Sequence, residues 1–109
     1  MQLVLDTNVV ASGLLWDGNP ARLIDAARGG EVQLATSRVL LAELTRILRR
    51  TKFAKAISTA GVSLDDLVLG YAELAMLITP ASIPPTVLDD PADDHVLACA
   101  LAAQADLIV

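Results

Sequence analysis

The sequence predicts an α/β fold in which a central parallel sheet is covered on both faces by helices, a three-layer α/β/α arrangement. Two observations lead there. Leu3-Val4-Leu5 is apolar at consecutive positions, as a strand buried on both faces requires, and Val32 to Ala35, apolar apart from Gln33, reads as a second strand. Between such runs the apolar residues fall at helical spacing, and no two-residue hairpin signal joins one run to the next.

The elements follow in order. The run at Leu3 to Leu5 ends at Asp6 and reads as the first strand. Asn8 can cap a helix through Leu15, and Asp17-Gly18-Asn19 is turn chemistry. Pro20 suits a first helical turn, Leu23, Ile24 and Ala27 supply the buried face, and Gly29-Gly30 stops that helix. Val32 to Ala35 is the second strand. Ser37 caps a helix with the stripe Leu40, Leu44, Ile47 and Leu48. Ser63 with Asp66 resembles a capping box, opening a helix that carries Leu67, Leu74 and Ala75. Met76 to Thr79 is a third strand, the proline-rich stretch Pro80 to Pro91 a loop, Ala92 to Gln104 a helix, and Asp106 to Val109 a further strand. No linker or repeat divides the 109 residues, so residues 1–109 are expected to form one domain.

The hydrophobic fraction of 54% and mean hydropathy of +0.55 are high. No stretch approaches the ~20 apolar residues of a membrane helix, so the excess is assigned to the doubly covered sheet and to a subunit interface. Leu14, Leu15 and Trp16, beside a turn, are the candidates for that interface, and the expectation is a homodimer. No signal-peptide pattern opens the chain and the single Cys99 excludes an internal disulfide, which together point to the cytoplasm. A net charge of -5 argues against a protein that coats nucleic acid over its whole surface. Charge is segregated, however. Five of the eight basic residues, Arg46, Arg49, Arg50, Lys52 and Lys55, lie within ten positions, while acids gather at Asp89, Asp90, Asp93 and Asp94.

Three acids stand where carboxylates are costly. Asp6 directly follows a strand, at the end where α/β folds bind ligands; a helix cap is the plainer account of it. Glu43 lies about 60° around its helix from Leu40 and about 40° from Ile47, bordering the core stripe, with an ion pair to Arg46 as the plainer account. Asp94 stands three, four and seven residues before Leu97, Ala98 and Leu101, and so begins a buried stripe; the plainer account is an acid favoured by the helix dipole. Together the three suggest a carboxylate cluster whose repulsion needs a cation. Mg²⁺ or Mn²⁺ fits best, since both prefer oxygen ligands and retain waters that phosphates can replace. Phosphodiester hydrolysis is the chemistry such a site supports.

These residues also carry a resemblance. Asp6-Thr7-Asn8 after the first strand looks like the opening motif of PIN-domain nucleases. The segment Ser37 to Arg50, containing Leu41-Ala42-Glu43-Leu44, is similar to the second acidic motif, and Asp89 to Ala102, containing Asp94-His95-Val96-Leu97-Ala98, resembles the third. The ordered set spans essentially the whole chain and looks closest to VapC-like toxins of toxin–antitoxin pairs. It implies a metal-dependent endoribonuclease with Asp6, Glu43 and Asp94 as catalytic metal ligands. Thr7, Asn8 and Asp93 would support them, and a cognate antitoxin would be the protein partner. The family places a fourth acid beyond the strand after the third motif, and a final helix and strand. Here Asp106-Leu107-Ile108-Val109 closes the sequence without them, so truncation at the C-terminal end and impaired activity are expected; Asp106 precedes its strand and belongs to the opposite end.

Other chemistries fit less well. His95 and Cys99, one helical turn apart, lack the further ligands of a zinc site, and metal-free cleavage by paired histidines fails on a single histidine. An aspartate-nucleophile phosphatase needs an acid at position 8, which is Asn8, and a receiver domain needs an acidic pair and a late lysine. Arg46, Arg49, Arg50 and Lys52 suit RNA phosphates, or else a solvated helix end. With only Trp16, Phe53 and Tyr71 as aromatics, recognition is expected to rest on backbone and shape rather than a base-stacking platform. The competing reading of the whole chain is a non-catalytic PIN-like module that binds an antitoxin or RNA.

Overall fold

A computed structural model describes residues 1–79 and 91–109, with backbone alone for 91–94. The elements are β1 (Gln2–Val4), α1 (Thr7–Leu15), α2 (Asn19–Arg28), β2 (Gln33–Thr36), α3 (Arg38–Leu48), α4 (Thr51–Ala60), α5 (Leu64–Leu74), β3 (Met76–Leu77), α6 (Pro91–Ala103) and β4 (Leu107–Ile108). The strands form one parallel sheet in the order β3-β2-β1-β4. The α/β class, the parallel sheet and the helices on both faces are as the sequence predicts.

Alternation along the central strands sorts residues between two cores, because successive strand side chains point to opposite faces. Leu3, Leu5 and Leu34 face one way, into the larger core with Val10, Ala11, Ile24, Leu44, Ile47, Leu48, Phe53, Ile57 and Tyr71. Val4 and Ala35 face the other way, against Leu40, Val96, Cys99 and Ala100. Burying each Leu, Ile or Val contributes about 1.5–3 kcal/mol, so the larger core dominates stability. Within it α1 and α2 come close at Gly13: a Cβ there would lie 2.7 Å from Ile24 Cδ1 and 2.9 Å from the Pro20 carbonyl.

Several elements depart from the sequence reading. Asp6, not Asn8, is the N-cap of α1, and Asn8 sits exposed inside the first turn. A helix over Thr51–Ala60 was not foreseen: only Phe53 and Ile57, four residues apart, face its core, and Gly61 ends it at φ 71°. β3 and β4 are two residues each rather than four. Pro91 opens α6, where its missing N–H costs nothing, instead of ending the preceding loop. Residues 80–90, with that loop and with Asp89 and Asp90, lie outside the described residues. The stripe expected on α6 is also displaced. Leu101 is 55% exposed, and the buried positions are Val96, Ala98, Cys99 and Ala100. Among the described residues no helix is long and apolar enough to cross a membrane.

Candidate active site

The carboxyl edge of the sheet is assembled from strand ends that turn directly into helices. β1 runs through buried Leu5 into Asp6, whose extended ψ of 144° redirects the chain into α1. Asp6 is held from both sides. Its N–H donates to the Val109 carbonyl at 2.7 Å, and its Oδ2 accepts from the Asn8 N–H at 3.0 Å. Thr7, the next residue, is buried. The capping account of Asp6 is therefore correct as far as one oxygen goes; among the described residues no hydrogen bond reaches Oδ1.

β2 ends likewise in two buried hydroxyl residues, Thr36 and Ser37. Ser37 Oγ accepts from the Leu40 N–H at 3.3 Å and starts α3, and the Thr36 carbonyl receives the Ile78 N–H at 2.8 Å beyond β3. Because β1 and β2 are adjacent and parallel, α1 and α3 leave the same edge and pack side by side. Glu43 lies on the second turn of α3, with its side chain only 11% exposed. Its Oε1 accepts from Arg46 Nη2 at 2.8 Å, so the helical ion pair considered for it is formed. The arginine end of that pair is 72% exposed. An exposed i,i+3 pair of this kind contributes about 0.2–0.5 kcal/mol, which leaves Arg46 free to move at little cost.

α6 covers the opposite face of β1 and β2 and feeds β4, so its first turn, with Asp93 and Asp94, comes in from the carboxyl edge. The side chains of Asp93 and Asp94 lie outside the described residues. Among the described residues no three His, Cys, Asp or Glu side chains gather as a metal site. Asp6 and Glu43 each keep one carboxylate oxygen without a hydrogen-bond partner among the described residues, and hard oxygen donors of this kind suit Mg²⁺ or Mn²⁺.

Other sequence candidates separate. His95 is exposed while Cys99 is completely buried, and burial pushes the Cys99 thiol up, against the thiolate a nucleophile or metal ligand needs. Asp106 sits at the amino edge, where its Oδ2 accepts from the Gln2 N–H at 2.8 Å. Arg49, Arg50 and Lys52 are exposed at the junction of α3 and α4. A cleft of about 250 Å³ lined by Leu14, Arg28, Asp66, Leu67, Gly70, Tyr71 and Leu74 contains none of the predicted site residues. Sequence reading missed the pairing of Trp16 with Phe53, whose ring centroids are 5.3 Å apart. Their separation of thirty-seven positions carried no local signal.

Comparison with protein families matches residues 2–109 to the PIN domain. No curated protein and no solved structure matches the chain.

Proposed function

The chain belongs to the PIN-domain family, a family of nuclease type whose members typically use divalent metals, and from that premise we propose that it is a metal-dependent endoribonuclease hydrolysing RNA phosphodiesters. The observation that carries the reading is the position of Asp6. It is the residue at which β1, an inner strand of the sheet, meets α1, its Oδ1 has no hydrogen-bond partner among the described residues, and Glu43 stands on the helix beside it.

In this reading Asp6, Glu43 and Asp94 hold Mg²⁺ or Mn²⁺. The ions would supply charge to the phosphate and a water of lowered pKa. The chain's own residues set the geometry. The Val109 carbonyl holds the Asp6 backbone N–H against β4, and the Asn8 N–H holds its carboxylate at the start of α1. Burial of Thr7, Thr36 and Ser37 keeps hydroxyl oxygens at the same edge without exposing them to bulk water. Asp93 adds negative charge beside Asp94. Arg46 neutralises Glu43 while the site waits, then turns to an RNA phosphate, with Arg49, Arg50 and Lys52 beyond it.

We further assign the chain to the cytoplasm as the toxin of a toxin–antitoxin pair, acting as a homodimer and silenced by a cognate antitoxin. A second reading, a non-catalytic module that binds antitoxin or RNA, is favoured by one observation: Arg46 already pairs one oxygen of Glu43 and balances its charge without a metal. Cleavage of a labelled single-stranded RNA, followed with Mn²⁺, with Mg²⁺ and in excess chelator, separates the two. Metal-dependent products that vanish in chelator support the nuclease. RNA retention with no products under any metal supports the binding module. Light scattering across micromolar concentrations tests the dimer, and a purely monomeric result removes it.

A further inference from the structure

Helix stability explains only part of the basic run between α3 and α4. Between Arg46 and Lys55 there are five basic residues and no acid, in a chain whose net charge is -5. Arg46 and Arg49 end α3, where positive charge is favoured by the helix dipole. Lys52 is different. It is the second residue of α4, a helix with no acid in its first turn and no side-chain cap. A positive charge there opposes the helix dipole. The fold places it there nonetheless, and local rules broken in this way concentrate at functional positions.

What surrounds Lys52 suggests the function. Its Nζ lies 5.4 Å from the centroid of Trp16 and 5.4 Å from that of Phe53. The two rings meet at 5.3 Å with a tilt of 37°. Phe53 is buried and anchors the pair, while Trp16 remains 39% exposed at the end of α1. A partly exposed indole with an ammonium beside it, and two exposed guanidiniums two and three residues before Lys52, bring aromatic surface and phosphate partners to the junction of α3 and α4. Asp17, exposed and next to Trp16, is the one acid adjacent in the chain. The patch also connects to the candidate site. α1 runs from Asp6 to Trp16 and α3 from Glu43 towards Arg49, and the two helices pack on each other. From Asp6 to Trp16 is roughly 15 Å at 1.5 Å per helical residue, a distance spanned by a few nucleotides.

We propose that Trp16, Lys52, Arg49 and Arg50 form a second contact for single-stranded RNA, on which one base stacks while neighbouring phosphates lie against the basic residues. The inference rests on the nuclease reading for the choice of RNA. Too few aromatics for a platform of several bases does not argue against one ring, since base–aromatic stacking works singly and is tolerant of sequence.

Trp16 is the only tryptophan, so its emission reports on this surface alone. Titration with a short oligouridylate, in chelator so that nothing is cut, should quench the emission. Added salt should weaken the binding. Lys52→Glu and Arg50→Glu, both at exposed positions, should each weaken it tenfold or more and flatten its salt dependence, and Trp16→Ala should do so by a similar factor, read by anisotropy of a labelled strand. Circular dichroism melting identifies a variant that fails to fold, and the two charge reversals stand if Trp16→Ala does not. Binding without any change in emission, or charge-reversal variants within twofold of the parent, would overturn the proposal. So would emission that shifts with protein concentration and not with RNA, which would give this patch to a second copy of the chain. The two readings fail separately: quenching without metal-dependent products removes the nuclease and keeps the contact, whereas cleavage with unaltered binding in these variants does the reverse.

Discussion

Asp6 and Asp106 flank the same two neighbouring strands from opposite edges, and each accepts one backbone N–H, from Asn8 at 3.0 Å and from Gln2 at 2.8 Å. Their surroundings differ. Asp106 closes the turn from α6 into β4 by binding the first residue of β1, with its own N–H donating to the Gln2 carbonyl at 2.8 Å. Asp6 stands where α1 and α3 leave adjacent strands, with Glu43 on the neighbouring helix and α6 arriving from the other face. One residue type thus serves as a backbone staple at the amino edge and as a candidate ligand at the carboxyl edge. The helices that start there make the difference.

The comparison is broken most directly by neutralising the carboxyl edge. Asp6→Asn, Glu43→Gln and Asp94→Asn each keep side-chain shape and remove a charge from the proposed metal site. Mg²⁺-dependent RNA cleavage is expected to fall at least about a hundredfold in each, since preorganised charge at a reacting phosphate contributes several kcal/mol. Asparagine is as good an N-cap as aspartate, so α1 should survive Asp6→Asn and the melting temperature should hold. Activity surviving all three substitutions would end the metal reading.

Gly13→Ala tests how tightly α1, the helix that Asp6 caps, is seated on α2. The added Cβ meets Ile24 and the backbone of Pro20 below 3.0 Å, so α1 and α2 must move apart. Overpacking of this kind costs typically 1–3 kcal/mol. Thermal melting should show it as a drop of at least about 4 °C for a domain of this size. A variant that melts normally would show the two helices to be loosely joined.

What the sequence displayed and what it hid divide along physical lines. The sheet was legible because Leu3 to Leu5 and the run ending at Ala35 are apolar on both faces, a demand few other structures make. Asp6 was legible because it interrupts that pattern at a strand end. α4 was hidden because Phe53 and Ile57 are its only large buried residues, and the basic run that leads into them read as a solvated helix end. The stripe on α6 was misplaced because apolar residues occupy nearly every position from Val96 to Ala103, so periodicity could not choose which face the sheet would cover. The meeting of Trp16 with Phe53 and Lys52 is tertiary, and no local pattern encodes it.

At the amino edge the expected effects are smaller and confined to stability. Asp106→Ala removes the acceptor for the Gln2 N–H, and a net contribution of about 1 kcal/mol should be lost, with cleavage per folded molecule unchanged. Urea denaturation and a cleavage assay on the same preparation check both halves. A catalytic loss larger than the loss of folded protein would mean that the two edges are not the separate structures their contacts suggest.

Arg46→Ala should change stability least, and it sharpens the comparison most finely. The ion pair it breaks is largely exposed at the arginine end, so at most about 0.5 kcal/mol of stability is at stake. Glu43 would then be left mostly buried without its cation. If Glu43 is a ligand, the loss of a competing positive charge should tighten Mn²⁺ binding several-fold in a calorimetric titration, while RNA affinity weakens because one phosphate partner has gone. A pair that is purely structural behaves in the opposite way: Mn²⁺ binding stays as it was, and the uncompensated carboxylate lowers the melting temperature. Removing Arg46 therefore makes Glu43 reveal whether its natural partner is the guanidinium beside it or a metal ion it shares with Asp6.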